Sequence, residues 1–128
     1  MTKTIPFYGT CPALGELTLV SQRIAYPYTT ARIRASFPAG CINLLALRFY
    51  IATDDAAPAA GPPSGRSILA ENSQVDYVTG EGEVVTVDHQ VEIPDRGSYI
   101  KVYAVNADHF EHAVNVQIQI DSNTEDVP

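Results

Sequence analysis

Two groups of side chains in this sequence could carry chemistry: a pair of histidines and a set of aspartates. His109 and His112 flank the last predicted hairpin loop, in the segment Asp108-His109-Phe110-Glu111-His112. On a helix this spacing could make a metal site, but in a short β-turn the two rings need not converge. We therefore interpret both as solvated loop residues. His89 lies on the inward parity of its strand, where a neutral histidine with a backbone partner is the usual explanation.

The aspartates suggest calcium. Asp54 and Asp55 follow a long apolar run, and Asp76 or Asp108 could join them, since hard oxygen ligands gathered on loops are what Ca²⁺ takes. The spacing is not that of a D-x-D-x-D-G loop, and adjacent aspartates are common in turns. We therefore expect no metal and no cofactor. A carbohydrate- or calcium-dependent binding module that uses these inter-strand loops remains the alternative function.

No pattern in the sequence is typical of an enzyme. A G-x-S-x-G elbow and a glycine-rich phosphate loop are both absent, and nothing selects a pair of carboxylates for acid and base catalysis. We therefore expect a protein without catalytic residues. A hydrolase with an unrecognised carboxylate pair is the remaining alternative.

The elements that must position these residues are predicted to be β-strands, organised around residues 40–53. This is the longest apolar run, and it lies between segments that contain proline and glycine. Read with period two, one face holds four apolar side chains: Leu45, Leu47, Phe49 and Ile51. The other face is half apolar and includes Ile42 and Leu44. Such a strand needs cover on both faces, from a second sheet and from a loop, a terminal arm or a neighbouring subunit.

Apolar and polar residues alternate along much of the remaining chain, clearly so in residues 31–37 and 113–121, with turn signals between. The pattern predicts about seven or eight strands and no helix. The fold class is therefore all-β, an antiparallel β-sandwich of jelly-roll or Greek-key type. The loop over residues 54–67 is expected to cross between sheets or to project as a contact loop.

Three regions are predicted along the chain. Residues 1–12 contain two prolines and no sustained period, which indicates an extended N-terminal arm whose apolar residues dock on its own sandwich or on a neighbour's. Residues 13–121 form the β-sandwich domain. Residues 122–128 form a flexible acidic tail.

Composition excludes several classes of partner. The 128 residues carry a net charge of −7, which argues against nucleic acid because phosphate binding depends on Lys and Arg. The sequence has no apolar run of membrane-spanning length and does not begin like a signal peptide, so no membrane partner is expected. Cys11 and Cys41 lack metal-ligand spacing and are expected to be small buried hydrophobes, bonded to each other or not.

Charge is distributed unevenly along the chain. Residues 1–53 carry five basic groups and one acidic group, a formal charge of +4, whereas residues 54–128 carry three basic and fourteen acidic groups, a charge of −11. The two halves could pair within one sandwich or simply face water. Alternatively, a basic patch of one copy meets an acidic patch of the next, which favours head-to-tail assembly.

Eight residues are expected to make contacts with a partner protein: Ile5, Phe7 and Tyr8 in the arm, the outward Arg32 and Arg34, and Tyr99, Lys101 and Tyr103 on the outward parity of one strand. Tyrosines on a sheet surface are often ordinary cross-strand pairs. They are also enriched where proteins meet proteins, and the lack of tryptophan favours a protein partner over a sugar.

The chain resembles the small β-sandwich proteins that coat virions, particularly the capsid decoration and fibre-like proteins of tailed phages. The resemblance rests on the arm at residues 3–8, the all-β body, the Pro/Gly-rich loop at residues 58–65 and the lack of a catalytic set. It implies a non-enzymatic structural protein that self-assembles or docks on a larger lattice. The expected partners are copies of itself, in a homo-oligomer, or the lattice. The expected location is the virion if the protein is viral, and is otherwise open.

Overall fold

The chain folds into two antiparallel β-sheets packed face to face, as seen in a computed structural model. The structure describes residues 2–58, 61–69, 77–88 and 90–122. Within these residues there are nine strands: β1 (Thr2–Cys11), β2 (Glu16–Val20), β3 (Tyr28–Phe37), β4 (Leu45–Ala52), β5 (Arg66–Ser67), β6 (Glu83–Asp88), β7 (Glu92–Ile93), β8 (Tyr99–Asn106) and β9 (His112–Asp121). No described segment is a helix that could cross a membrane.

The strand order follows from a chain that folds back on itself near its middle. β1 pairs with β9, β2 with β8, β3 with β6 and β7, and β4 with β5, all antiparallel. The chain thus forms a long antiparallel hairpin. This hairpin is rolled up, so that β3 also pairs with β9 and β4 also pairs with β8. The first sheet then has the order β1-β9-β3-β6, with β7 also on β3, and the second has the order β2-β8-β4-β5. This arrangement is a jelly roll.

The core lies between the sheets and is built from alternate residues of the long strands. The predicted inward face of β4 is confirmed, because Leu45, Leu47, Phe49 and Ile51 are all buried. The inward residues predicted on β3, β8 and β9 are buried as well: Ile33, Ala35, Phe37, Ile100, Val102, Ala104, Val114, Val116, Ile118 and Ile120. Strands in a half-buried sheet alternate with period two, so the pattern alone identifies the buried face.

The central strand is shorter than predicted. β4 begins at Leu45, and the residues before it form a turn in which Gly40, Ile42 and Asn43 have φ angles of 101°, 49° and 59°. A left-handed backbone cannot continue a strand. The prediction that Ile42 and Leu44 lie on a strand face is therefore wrong, and both side chains are exposed.

Residues 1–12 do not form a separate arm. β1 pairs with β9 along its whole length, from Thr2 opposite Asp121 to Cys11 opposite His112. Phe7, predicted as a contact residue for a partner, is only 4% exposed and belongs to the core. The segment is extended as predicted, but it is an edge strand of its own sandwich.

Three further differences are local. The strand count exceeds the predicted seven or eight because two strands, β5 and β7, have only two residues each. The connection from β4 to β5 stays with the second sheet instead of crossing to the first, since β5 pairs with β4. Of the predicted acidic tail, Ser122 is buried against the body, and residues 123–128 lie outside the described residues.

The two ends of the sandwich carry different connections. Loops 12–15, 38–44 and 107–111, with residues 77–82, lie at one end, which we call the apolar end. Loops 21–27, 53–65 and 94–98 lie at the opposite end. The eight residues of β4 separate the two ends by roughly 25 Å at the usual rise per strand residue.

Replacing Phe7 by alanine tests the place of β1 in the core. Phe7→Ala should lower the free energy of unfolding by about 3 kcal/mol or more, the usual cost of removing a buried phenyl ring. Tyr8→Ala is the matched control, since Tyr8 is the next residue and is 62% exposed. Urea unfolding followed by circular dichroism measures both. Equal losses for the two variants would show that β1 does not contribute to the core.

Candidate functional site

A fully buried lysine lies on the outer face of the second sheet. Lys101 points away from the core, as predicted from its parity on β8, but its side chain is 0% exposed. Its Nζ donates hydrogen bonds to Asp54 Oδ1 at 2.8 Å and to Ser64 Oγ at 3.2 Å. Asp54 and Ser64 both belong to the connection between β4 and β5, whose described residues 53–58 and 61–65 we call the strap. The strap therefore covers Lys101.

A second set of hydrogen bonds, through Glu16, links the strap to Tyr103 of β8. The hydroxyl of Tyr103 donates to Glu16 Oε1, and the Glu16 carboxylate accepts the amide of Gly61 at 3.2 and 3.3 Å. Pro63, which follows Gly61, is buried. The prediction that Lys101 and Tyr103 are exposed for a partner is therefore wrong. The outer face of this sheet was predicted to be covered by a loop, a terminal arm or a neighbouring subunit. Around Lys101 it is covered by a loop of the same chain.

Burial and charge shift the pKa values in this network. Hydrogen bonds from Lys101, Ser64 and the Ala56 amide lower the pKa of Asp54 to about 2. Burial raises the pKa of Tyr103 to about 12, and the hydrogen bond that Glu16 accepts adds to this effect. The same bond lowers the pKa of Glu16. The network thus holds two carboxylates in their charged form against a buried ammonium group and a neutral phenol.

The predicted calcium ligands do not come together. Asp54 contacts Lys101, whereas Asp108 lies at the apolar end and its Oδ2 is 2.8 Å from His112 Nε2. Roughly 25 Å of strand separates these ends, so Asp54 and Asp108 cannot share an ion. Asp55 is exposed beside Asp54, and Asp76 lies outside the described residues. Within the described part of the chain, no three His, Cys, Asp or Glu residues are placed to bind a metal.

Of the three histidines, one is placed differently from the prediction. His109 is exposed, but His112 is buried and bonded to Asp108, so the prediction of a solvated His112 is wrong. The bond to His112 lowers the pKa of Asp108. His89 lies outside the described residues.

The prediction of buried cysteines is confirmed. Cys11 and Cys41 are both free thiols with fully buried side chains. Burial raises the pKa of Cys11 to about 11 and also raises that of Cys41. Since the thiolate is the reactive form of cysteine, these two thiols are poor nucleophiles.

The outer face of the first sheet gathers three of the predicted contact residues. Tyr8, Arg32 and Arg34 are all exposed there. Tyr8 lies opposite Asn115 of β9, and Arg34 and Arg32 lie opposite Gln117 and Gln119 of the same strand. Arg32 Nε lies 2.6 Å from Asp88 Oδ1.

The other predicted contact residues lie on different surfaces. Ile5 is half-buried on the inner face of the first sheet, and Tyr99 is half-buried on the outer face of the second. The eight predicted residues therefore do not form one surface.

A patch that the sequence reading missed lies at the apolar end. Four large apolar side chains from three loops are exposed there: Leu14, Ile42, Leu44 and Phe110. Phe110, at 72%, has the highest exposure among them. No Lys or Arg occurs in the described loops of this end, whereas these loops and the start of β6 carry four carboxylates: Glu81, Glu83, Asp108 and Glu111. The end is thus both apolar and acidic.

The loops of the apolar end are held together by the side chain of Asn106, which is buried. Its Nδ2 donates to the carbonyls of Pro12 at 3.2 Å and Phe110 at 2.8 Å, and its Oδ1 accepts the amide of Asp108 at 2.9 Å. The amide of Leu14 donates to the Asp108 carbonyl at 2.9 Å. These bonds fix loops 12–15 and 107–111 to each other.

Loop 38–44 is fixed by Glu81, whose carboxylate accepts the amides of Gly40 and Ile42. Leu14, Ile42 and Asn43 have φ angles of 51°, 49° and 59°. A β-branched residue in this left-handed region is a genuine outlier, and such strain clusters at functional sites. Two of the four exposed apolar side chains, Leu14 and Ile42, are therefore presented by strained backbone.

A signal for this patch was present in the sequence. Phe110 lies between acidic and histidine residues in a hairpin segment, and Leu14 directly precedes a glycine. Large apolar residues in turns have no core to enter, so they are candidates for exposure. Ile42 and Leu44 carried no such signal, because they continue the apolar run of β4.

The chemistry that this end offers is binding through burial of apolar area, guided by acidic side chains at its edge. Comparison of the chain with protein-family models, with curated proteins and with solved structures found no match.

Replacing Asp54 tests the strap network. Asp54→Asn should lower the melting temperature, because it removes the charge that compensates the buried Lys101 ammonium. Since the folded-state pKa of Asp54 is about 2 against an ordinary 3.8, its stabilising effect is complete above about pH 4 and is lost as the pH falls toward 2. The melting temperatures of wild type and Asp54→Asn should therefore converge on acidification.

Thermal unfolding followed across this pH range measures the effect. Asp55→Asn is the matched control, because Asp55 is the adjacent, exposed carboxylate. A difference between wild type and Asp54→Asn that persisted undiminished at pH 2, or an equal loss for Asp55→Asn, would contradict the assigned pairing.

Replacing Ile42 by glycine tests the strain at the apolar end. Ile42→Gly should raise the free energy of unfolding by roughly 0.5–1 kcal/mol, because the relief of a left-handed residue exceeds the entropy cost of glycine. Ile42→Ala loses the same branched side chain but keeps the Cβ atom, so it should bring no gain. Chemical denaturation measures both variants, and an equal gain for alanine would refute the strain.

Proposed function

We propose that this protein is a non-enzymatic structural protein that self-assembles or docks on a larger lattice. One observation carries the proposal: four exposed apolar side chains from three separate loops converge at one end of the sandwich. Single exposed apolar residues are ordinary on a protein surface, but a contiguous patch with a polar edge is typical of an interaction site.

The rigidity of the apolar end supports the same function. Asn106 and Glu81 hold its loops in place before any partner arrives. Binding then costs less conformational entropy than it would for mobile loops. Phe110 is the natural anchor of such an interface, since aromatic residues are enriched at the centres of protein interfaces.

The distribution of charge supports an oriented assembly. Four of the eight basic residues lie toward the opposite end: Lys3, Arg23, Arg66 and Arg96. The described loops of the apolar end carry carboxylates and no basic residue. Complementary charges guide orientation and association rate more than affinity. Carboxylates occur at the opposite end as well, at Asp54, Asp55 and Asp95, so the two ends differ in their basic residues alone.

The lattice on which the protein would dock is a virion surface in this proposal. The support for this step is the resemblance to capsid decoration and fibre-like proteins, together with the jelly-roll order, which is frequent in viral capsid domains. Both are analogies of architecture, because one fold hosts many functions. The alternative, a calcium- or carbohydrate-dependent module, has weaker support, since the carboxylates of Asp54 and Asp108 are engaged by Lys101 and His112.

The proposal predicts an assembly that depends on the apolar end. Light scattering coupled to size exclusion should show a mass that rises with concentration above the 13.9 kDa of one chain. The double variant Phe110→Ser/Ile42→Ser should weaken association by about tenfold or more, the effect of losing an interface anchor. Tyr8→Ser/Val84→Ser is the matched control, because both of its residues are exposed and lie on the outer face of the first sheet.

Association should weaken when the salt rises from about 0.05 M to about 1 M, since charges at the edge of the patch are then screened. A wild-type protein that stayed at 13.9 kDa up to millimolar concentration would overturn self-assembly. An equal loss for the control variant would place the contact on the outer face of the first sheet instead.

A further inference from the structure

A groove lies at the opposite end of the sandwich, between the edge strand β1 and the loop after β2. Its volume is about 420 Å³. Ile5, Ile24 and Tyr26 supply buried or half-buried apolar surface within it, and Lys3 and Arg23 are exposed at its rim. No carboxylate lines it. The groove is therefore apolar inside and basic at its edge.

The apolar end has the complementary character. Phe110 projects from loop 107–111, and Glu111 next to it is exposed and acidic. A cavity of this volume lies in the range of pockets that enclose small organic ligands, so a phenyl ring enters with room to spare. An apolar projection with an acidic edge thus matches an apolar groove with a basic edge.

We propose, on the basis of the self-assembly inferred above, that Phe110 of one copy inserts into this groove of the next copy. The acidic edge around Phe110 then faces Lys3 and Arg23. Because the two surfaces lie at opposite ends of the sandwich, the contact is head-to-tail. A contact of this kind that does not close into a ring propagates as an open filament.

Pairing of edge strands is the other way in which sandwiches associate, and β1 is poorly suited to it. Pro6 lacks an amide donor, and Lys3 places a charge on the same strand. Both features are known devices that protect a sheet edge against strand addition. The groove beside β1 therefore offers a better contact than its backbone.

Two variants test the proposal, one altered at the Phe110 projection and the other at the groove beside β1. Phe110→Asp disables the projection, and Lys3→Glu/Arg23→Glu reverses the charge at the groove. All three positions are exposed, so the fold should persist, which thermal unfolding verifies. If Phe110→Asp does destabilise the chain, Phe110→Ser replaces it. Tyr8→Asp, an exposed site outside both surfaces, is the control and should assemble like wild type.

Each variant alone should be monomeric, with association weakened at least tenfold. An equimolar mixture should form a dimer and nothing larger, because each variant retains one of the two intact surfaces. Light scattering should then read twice the 13.9 kDa of one chain, with the affinity of a single wild-type contact. A two-fold contact would regain only one of its two symmetric insertions in the mixture and would bind more weakly than wild type. Recovery at the full wild-type affinity is therefore specific to a head-to-tail contact.

The outcomes separate this proposal from the one on which it rests. If wild type assembles and either variant assembles equally well, the insertion of Phe110 into the groove is overturned while self-assembly stands. If both variants are monomeric but their mixture stays monomeric, the head-to-tail geometry is overturned. If wild type itself is monomeric at all concentrations, self-assembly fails and this contact fails with it.

Discussion

The buried ammonium group of Lys101 is the constraint on which the outer face of the second sheet depends. Removing a charge from water is costly unless a partner of opposite charge and further hydrogen bonds compensate it. Asp54 and Ser64 provide that compensation, and both come from the strap. The described part of the strap must therefore lie against β8 at Lys101, and it removes this side chain from solvent.

The strap covers the part of this face around Lys101, while Arg48, Tyr50 and Tyr99 on the same face are half-buried. Most of the large exposed apolar side chains of the described residues lie instead at the apolar end and on the outer face of the first sheet. At the apolar end the chain accepts left-handed φ angles at Leu14 and Ile42 and exposes both side chains. Such an arrangement reduces stability, and hydrogen bonds from Asn106 and to Glu81 hold it in place. A surface that is both strained and held rigid is better explained by binding than by folding.

How far the sequence predicted the structure depends on whether a feature is local. The buried faces of β3, β4, β8 and β9 were predictable, because period two relates neighbouring residues in one strand. Phe7 in the core and the pairing of Thr2–Cys11 with β9 were not, because the partner lies more than a hundred residues away. For the candidate site, Arg32 and Arg34 were correctly expected to point outward, but the patch around Phe110 was missed.

The sequence by itself determined that the chain is an antiparallel sandwich, which residues of its long strands form the core, and that both cysteines are buried. These properties follow from the alternation of side chains and from hydrophobicity. The burial of Lys101, the placement of Asp54 and Asp108 at opposite ends, and the exposure of Leu14, Ile42 and Phe110 at one end became apparent only from the tertiary structure. The position of a residue along its strand indicates on which face of the sheet its side chain lies. Which loop covers that face depends on how distant strands pair, and a local pattern does not contain this information.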